Sequence, residues 1–282
     1  MLIGLSGCRW VEKLLIPEQS RTSYEAARSN FKTKLVQRGP SPQPFAKELP
    51  PVGVDVIRYR SGSLELKGWQ SRIDPAGHAP AVVLLHGGFA FGAEDWDLAV
   101  PFVEAGYAVL MPILRGENGM PGDYSLFYDE VEDVLAATAF LARQPGVDRD
   151  RIFVTGHSAG GTLALLAALT SDRYLAGSSL SGVTNVGRLL NGLTVPFEAG
   201  AVEEANMRSA VVFASSFKCP FRIYYGNEEE FFIADSQETA RRAAASGKDV
   251  VAVEVPGDHF TSINEGLRRT MAFFAAAKRT PR

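Results

Sequence analysis

The chain has 282 residues, 46% apolar and 22% charged, the balance of a soluble globular protein with enough chain to bury a large core. Its formal charge is −3, with Lys and Arg scattered rather than blocked together, which excludes nucleic acid as a partner class. The two cysteines, Cys8 and Cys219, stand too far apart for a C-x-x-C site, so a disulfide framework or zinc centre is excluded too.

The chain opens on Leu5-Ser6-Gly7-Cys8, which resembles a bacterial lipobox. A full signal would also carry basic residues and an apolar run of roughly 7–15 residues, and only Leu2 to Gly7 precede the cysteine. Two readings follow. A truncated signal implies a lipid anchor at Cys8 and a place in the cell envelope; an ordinary apolar start implies a cytoplasmic protein. No later run of 18 apolar residues suggests a membrane span.

Residues 10–37 read as a helix, because Tyr24, Ala27, Phe31 and Leu35 recur at helical spacing until Gly39, Pro40, Pro42 and Pro44 stop it. Residues 1–51 thus form an N-terminal arm ahead of a main domain at 52–282. From Val52 to Gln70 apolar residues alternate on either side of Ser61-Gly62-Ser63, the pattern of a β-hairpin. Continuous apolar strands follow at Ala81–Leu85, Ala108–Ile113, Ile152–Thr155, Ala176–Leu180, Phe221–Tyr225 and Val250–Val255. Helical patterns separate them near 96–105, 127–143, 160–171, 236–246 and 262–279. Such alternation predicts an α/β fold: a doubly wound, mostly parallel sheet with helices on both faces. Residues 182–216 fit no strand–helix unit and are expected to form a small cap.

The sharpest motif is Gly156-His157-Ser158-Ala159-Gly160, between the strand ending at Thr155 and a helix of small residues. A G-x-S-x-G in that setting is the nucleophile elbow of the α/β-hydrolase fold. The tight turn exposes the Ser158 hydroxyl and sets the Ala159 N–H and a helix N-terminus beside it. In this fold the acid and then the histidine follow the nucleophile. His78, His86 and His157 precede Ser158, so the base is His259, in the loop after the last strand. The acid belongs after the strand Phe221–Tyr225, where Glu228, Glu229 and Glu230 compete, with Asp235 beyond. Spacing of three from Gly226 selects Glu229. A second oxyanion donor is expected in His86-Gly87-Gly88-Phe89, at Gly88 or, second, Phe89. His86 and Arg115 read as braces for neighbouring loops.

With these residues in place, the stretch from Ala81 to Val186 resembles the catalytic domain of the prolyl oligopeptidase family, nearest its acylaminoacyl-peptidase-like branch. The likeness rests on His86-Gly87-Gly88, Trp96, Pro112 to Gly119, Glu132-Asp133-Val134, Arg151-Ile152 and the elbow with Gly160-Gly161, and Gly226 and Asp258-His259 continue it. It departs in three ways. Residues 1–51 are too short for the family's β-propeller, Glu229 stands where the family usually has Asp, and Ala159 stands where it often has a large residue. The resemblance implies a serine hydrolase acting on short peptides, and the missing propeller weakens that specificity.

The expected chemistry is acyl transfer through Ser158, His259 and Glu229, with no cofactor and no metal. The expected partner is a small-molecule ester or a short peptide, in a pocket built by loops near 89–97, 117–127 and 183–216. In the last of these Leu189, Leu190, Leu193, Val195, Pro196 and Phe197 offer an apolar lining. The Glu203-Glu204 pair, a candidate clamp for a substrate amine, reads instead as a solvated helix face. That balance favours esters of small or medium acyl groups, with peptide amides second. A non-catalytic binding protein on this scaffold and acyl transfer to an alcohol are the other classes. The oligomeric state is not legible.

Overall fold

The computed structural model describes residues 16–190, 194–198 and 200–278. The lipobox with Cys8, the first part of the expected 10–37 helix, and Leu193 lie outside the described residues. Among those described, one eight-stranded sheet runs in the order β1-β2-β4-β3-β5-β6-β7-β8. Its strands are β1 (Val54–Ser61), β2 (Leu64–Ser71), β3 (Ala79–Leu85), β4 (Ala108–Pro112), β5 (Val147–Gly156), β6 (Ala176–Leu180), β7 (Phe221–Gly226) and β8 (Val250–Val255). The hairpin β1–β2 is antiparallel about Gly62, β2 is antiparallel to β4, and every other pair is parallel.

The inner strands explain the two-sided cover. In β3 the side chains of Val83 and Leu85 enter one buried cluster, with Leu163 and Leu166, while Val82 and Leu84 enter another, with Phe102 and Phe274. A strand apolar on both faces needs helices on both faces. On the first side lie α3 (Glu130–Leu141), α4 (Ala159–Thr170) and α7 (Glu230–Ala245); on the second lie a 3-10 turn (Ala93–Leu98), α2 (Val100–Glu104) and α8 (Ile263–Ala276). The chain leaves β3 for β4 on one side and returns to β5 on the other. With Leu85 paired to Gly156, the loops after β3 and β5 emerge side by side at a topological switch point, where ligands gather in such sheets.

Three expectations are corrected. The helix at 10–37 is, among the described residues, only α1 (Tyr24–Asn30). Ser23 caps it, its Oγ accepting the Ala26 N–H at 3.2 Å, and Phe31 is already extended. Distant partners end the helix: Leu35 forms an antiparallel bridge with Phe197, and the Lys34 N–H and Thr33 hydroxyl both reach the Glu204 carboxylate at 2.7 Å. The described residues of 183–216 do not line the cleft as a cap would. They form α5 (Val186–Leu189), α6 (Val202–Asn206) and a 3-10 turn (Ala210–Ser216), whose Val186, Phe197, Val211 and Phe213 are buried in the main core. Apolar side chains that could have lined a pocket are consumed by packing. Nor is the Glu203-Glu204 pair a solvated face: Glu203 is exposed, but Glu204 is buried against the fully buried Arg208, 2.6 Å away.

Candidate active site

The elbow is built by close approach. A Cβ on Gly160 would sit 2.2 Å from the Leu85 carbonyl oxygen, and one on Gly156 2.5 Å from the Gly160 carbonyl carbon, so neither position admits a side chain. Between them Ser158 takes φ 53° and ψ −115°, a strained conformation for a residue with a side chain. Its N–H donates to the Leu180 carbonyl at 2.8 Å, which fixes the turn to β6. The result is a partly exposed hydroxyl at the N-terminus of α4.

His259 arrives from the loop between β8 and α8. Its Nε2 lies 2.9 Å from Ser158 Oγ and its Nδ1 2.7 Å from Glu229 Oε1. Asp258 shapes the loop by accepting the N–H groups of Phe260 and Thr261, at 3.0 and 2.8 Å. The Phe232 ring stacks on the imidazole with centroids 5.4 Å apart. His157, the variable residue of the elbow, donates from Nε2 to the His259 carbonyl at 2.8 Å. Burial pushes the His157 pKa down to about 4, and the neighbouring His259 adds to that, so His157 is a neutral prop at neutral pH.

Of the four competing carboxylates, Glu229 meets His259. Glu228 and Glu230 are exposed, and Asp235 bonds Arg188 and Asn185, at 3.1 and 3.3 Å. Glu229 Oε2 also accepts the Ser181 hydroxyl at 2.5 Å and the Gly226 N–H at 2.6 Å. Burial opposes the Glu229 charge, but the bonds from His259, Ser181 and Gly226 outweigh it and hold the carboxyl below its usual range. Ser181 and His157 are the site residues that motif reading misses. The only signal for either is position: Ser181 follows β6, next to the elbow, and His157 lies inside the motif.

The expected oxyanion donors lie around Ser158. Ala159 opens α4, and a Cβ on Gly87 would lie 3.7 Å from Ser158 Cβ, so the Gly87-Gly88-Phe89 loop passes against the nucleophile. The Phe89 N–H donates to Gln43 Oε1 at 2.8 Å. Behind the loop His86 Nε2 meets Glu117 Oε2 at 3.1 Å, and the same oxygen accepts the Leu114 N–H. Burial disfavours charge on His86, but the Glu117 carboxylate outweighs it and raises the pKa to about 9. Arg115 grips Asp133 with two nitrogens, at 2.9 and 2.7 Å. Both residues brace loops.

Ser158 and His259 open into a cleft of about 600 Å³. Its walls are the loop from Gly87 to Asp95, the residues His157, Phe260 and Ile263, and a stretch of the N-terminal arm, Gln43 to Ala46 with Glu48. The loop near 89–97 lines it as expected. The described residues near 117–127 and 183–216 do not, since those of the latter are packed largely into the core and the arm supplies that part of the wall.

Comparison with known proteins agrees with this architecture. Residues 95–213 match the model of the prolyl oligopeptidase family. An uncharacterized peptidase, YtmA, of Bacillus subtilis is 30% identical over 114 residues, 40% of this chain and 44% of that protein. An acylaminoacyl peptidase of Pyrococcus horikoshii superposes with a TM-score of 0.66 at 23% identity, over 79% of this chain and 41% of its own. A puromycin-hydrolyzing peptidase of Mycobacterium tuberculosis superposes with a TM-score of 0.69 at 21% identity, over 82% and 42%. The chain spans less than half the length of these relatives. The chain has the α/β-hydrolase fold, and its central segment is similar to the catalytic domain of the prolyl oligopeptidase family.

Proposed function

We propose that the protein transfers the acyl group of a carboxylic ester or short peptide amide first to Ser158 and then to water. One observation carries this: Ser158 Oγ, both nitrogens of His259 and Glu229 Oε1 form an unbroken hydrogen-bonded series at 2.9 and 2.7 Å. His259 takes the Ser158 proton as Oγ attacks the carbonyl carbon, and the oxyanion rests on the N–H groups of Ala159 and Gly88. Collapse expels the alcohol or amine, which leaves with the proton from His259. Water, deprotonated in turn by His259, attacks the acyl-enzyme; the acid departs and the proton returns to Ser158. Glu229 holds Nδ1–H in place and stabilises the imidazolium.

A second, narrower reading has its own observation. Glu48, Glu94 and Asp95 share one wall of the cleft that holds Ser158, and a wall of carboxylates favours a substrate with a free amine, such as the amino end of a short peptide. The match of residues 95–213 to a peptidase family supports it as well. Two measurements test the proposal. A fluorophosphonate probe should label the native protein and not Ser158→Ala, whose turnover should fall to the residual left by the oxyanion hole alone, on the order of 10³–10⁴ over water. A Ser158→Ala variant that hydrolyses p-nitrophenyl butyrate at the native rate refutes acyl transfer through Ser158. A free aminoacyl-p-nitroanilide cleaved with higher kcat/KM than its N-acetylated form and than the butyrate selects the peptide reading; the reverse selects esters.

A further inference from the structure

The arm between Gly39 and Pro44 reads Gly-Pro-Ser-Pro-Gln-Pro. Every second residue is proline, so φ is locked at three positions, and Ser41 and Gln43, each preceding a proline, are restricted as well. Two residues between these prolines, Ser41 and Gln43, meet a single residue of the loop after β3. The Ser41 hydroxyl donates to the Phe89 carbonyl at 2.5 Å, while Gln43 Oε1 accepts the Phe89 N–H at 2.8 Å. Both polar groups of Phe89 are therefore held by the arm. The strip is tied down elsewhere: the Ser41 N–H donates to the Gly116 carbonyl at 2.9 Å, the Tyr124 N–H to the Gly39 carbonyl at 2.9 Å, and the Ala93 N–H to the Glu48 carboxylate.

The position of this clamp gives it a role. Phe89 directly follows Gly88, and the Gln43 amide lies over the Gly88 Cα: a Cβ there would be 2.6 Å from Gln43 Oε1, and Gly88 has φ +66°. We infer that Ser41 and Gln43 are positioning residues for the oxyanion loop. By fixing the Phe89 N–H and C=O they set the planes of the Gly88–Phe89 and Phe89–Ala90 peptides, and so hold Gly88 in its turn beside Ser158. This rests on the acyl-transfer reading above, and it makes the arm part of the catalytic machinery. An oxyanion donor acts only if aimed where charge develops, so a tilt of the loop costs transition-state binding and leaves ground-state binding alone.

The test uses the full chain with Gln43→Leu, which keeps bulk in the cleft wall but removes the acceptor, and the pair Ser41→Ala and Ser41→Thr, of which only threonine keeps the hydroxyl. Steady-state hydrolysis of p-nitrophenyl butyrate is measured beside hydrogen exchange at the Phe89 amide. The expected result is a kcat about tenfold lower in Gln43→Leu and Ser41→Ala, at the modest end of what misplaced catalytic geometry costs. KM should stay within about twofold, Ser41→Thr should behave as native, and Phe89 exchange should be faster in Gln43→Leu. Unchanged exchange refutes the clamp. Unchanged kcat, a loss confined to KM, or a kcat that rises because the arm was obstructing the cleft refutes positioning. Fluorophosphonate labelling of the native chain separates the two levels: if Ser158 is labelled and the variants behave as native, the clamp fails alone; if it is not labelled, acyl transfer and the positioning role fail together, whatever the exchange shows.

Discussion

Glu229→Gln gives the most telling substitution, because the donors around the carboxylate decide how the new amide must sit. Oε2 accepts two bonds, from Gly226 N–H and the Ser181 hydroxyl, while Oε1 accepts one, from His259 Nδ1. A glutamine can place its single oxygen at only one of these sites. Facing His259, it leaves the fixed Gly226 N–H pointed at an amide nitrogen in a buried setting, at a cost of about 1–3 kcal/mol. The favoured orientation therefore puts oxygen toward Gly226 and Ser181 and NH₂ toward His259. Nδ1 must then accept, the ring proton moves to Nε2, and Nε2 can no longer take the proton of Ser158. A penalty of about 1–3 kcal/mol leaves on the order of a tenth to a hundredth of molecules in the competent orientation. Those also lack the negative charge that stabilises the imidazolium. Together the two effects predict a kcat about 10³–10⁴ lower, the scale set by the serine-protease aspartate-to-asparagine change. Stopped-flow and steady-state hydrolysis of p-nitrophenyl butyrate measure the rate, and ¹⁵N shifts of His259 report the tautomer. A variant within about tenfold of native kcat, or one with the proton still on Nδ1, refutes the argument.

The two buried histidines should shape stability against pH in opposite senses. His86 keeps its proton up to about 9 when folded but only to about 6.5 when unfolded, so its contribution is complete below about 6.5 and lost as pH rises through 9. His157, held down to about 4, stabilises above about 6.5, a contribution lost as pH falls toward 4. Urea unfolding between pH 4 and 9.5 should give a maximum near neutrality, and Glu117→Gln should remove the alkaline loss; if that loss persists in the variant, the His86–Glu117 pair is not its cause. Gly160→Ala would drive a Cβ to 2.2 and 2.4 Å from the Leu85 and His86 carbonyl oxygens, both backbone, so a loss of about 3 kcal/mol or more is expected. An unchanged urea midpoint would show that the turn can open at no cost.

What could be read from residue order was what local chemistry decides. The inner strands announce themselves because chain buried on both faces must be apolar throughout, and Ser158 because a strand-to-helix turn that tight demands glycine at both flanks. His259 is the sole histidine after the elbow, and Glu229 follows from its spacing to Gly226, although nothing local separates it from its acidic neighbours. The arm was not legible. Its helical spacing from Tyr24 to Leu35 is genuine, but Glu204 and Phe197, some 170 residues away, pull the chain out of helix after Asn30. Pro40 to Pro44 read as a helix stop, because a proline-rich strip shows its stiffness but not what it lies against. Residues 183–216 are ambiguous for the same reason: an apolar, irregular stretch suits a lid and a core alike, and only its partners distinguish them.

The arm also sets an order of events during synthesis. Tyr24 gives its N–H to Ser216 Oγ and its hydroxyl to the Met207 carbonyl, 192 and 183 positions later, and Thr33 meets Arg208 at a separation of 175. These residues leave the ribosome before the chain that receives them. Until residue 216 has emerged, the N–H of Tyr24 lacks the partner that it has in the folded chain. Loop closure on that scale is slow, and apolar side chains wait exposed in the meantime. The proline strip and Glu48, by contrast, have their partners at Phe89, Ala93, Gly116 and Tyr124, so this wall of the cleft can be laid before Leu180 emerges to take the Ser158 N–H.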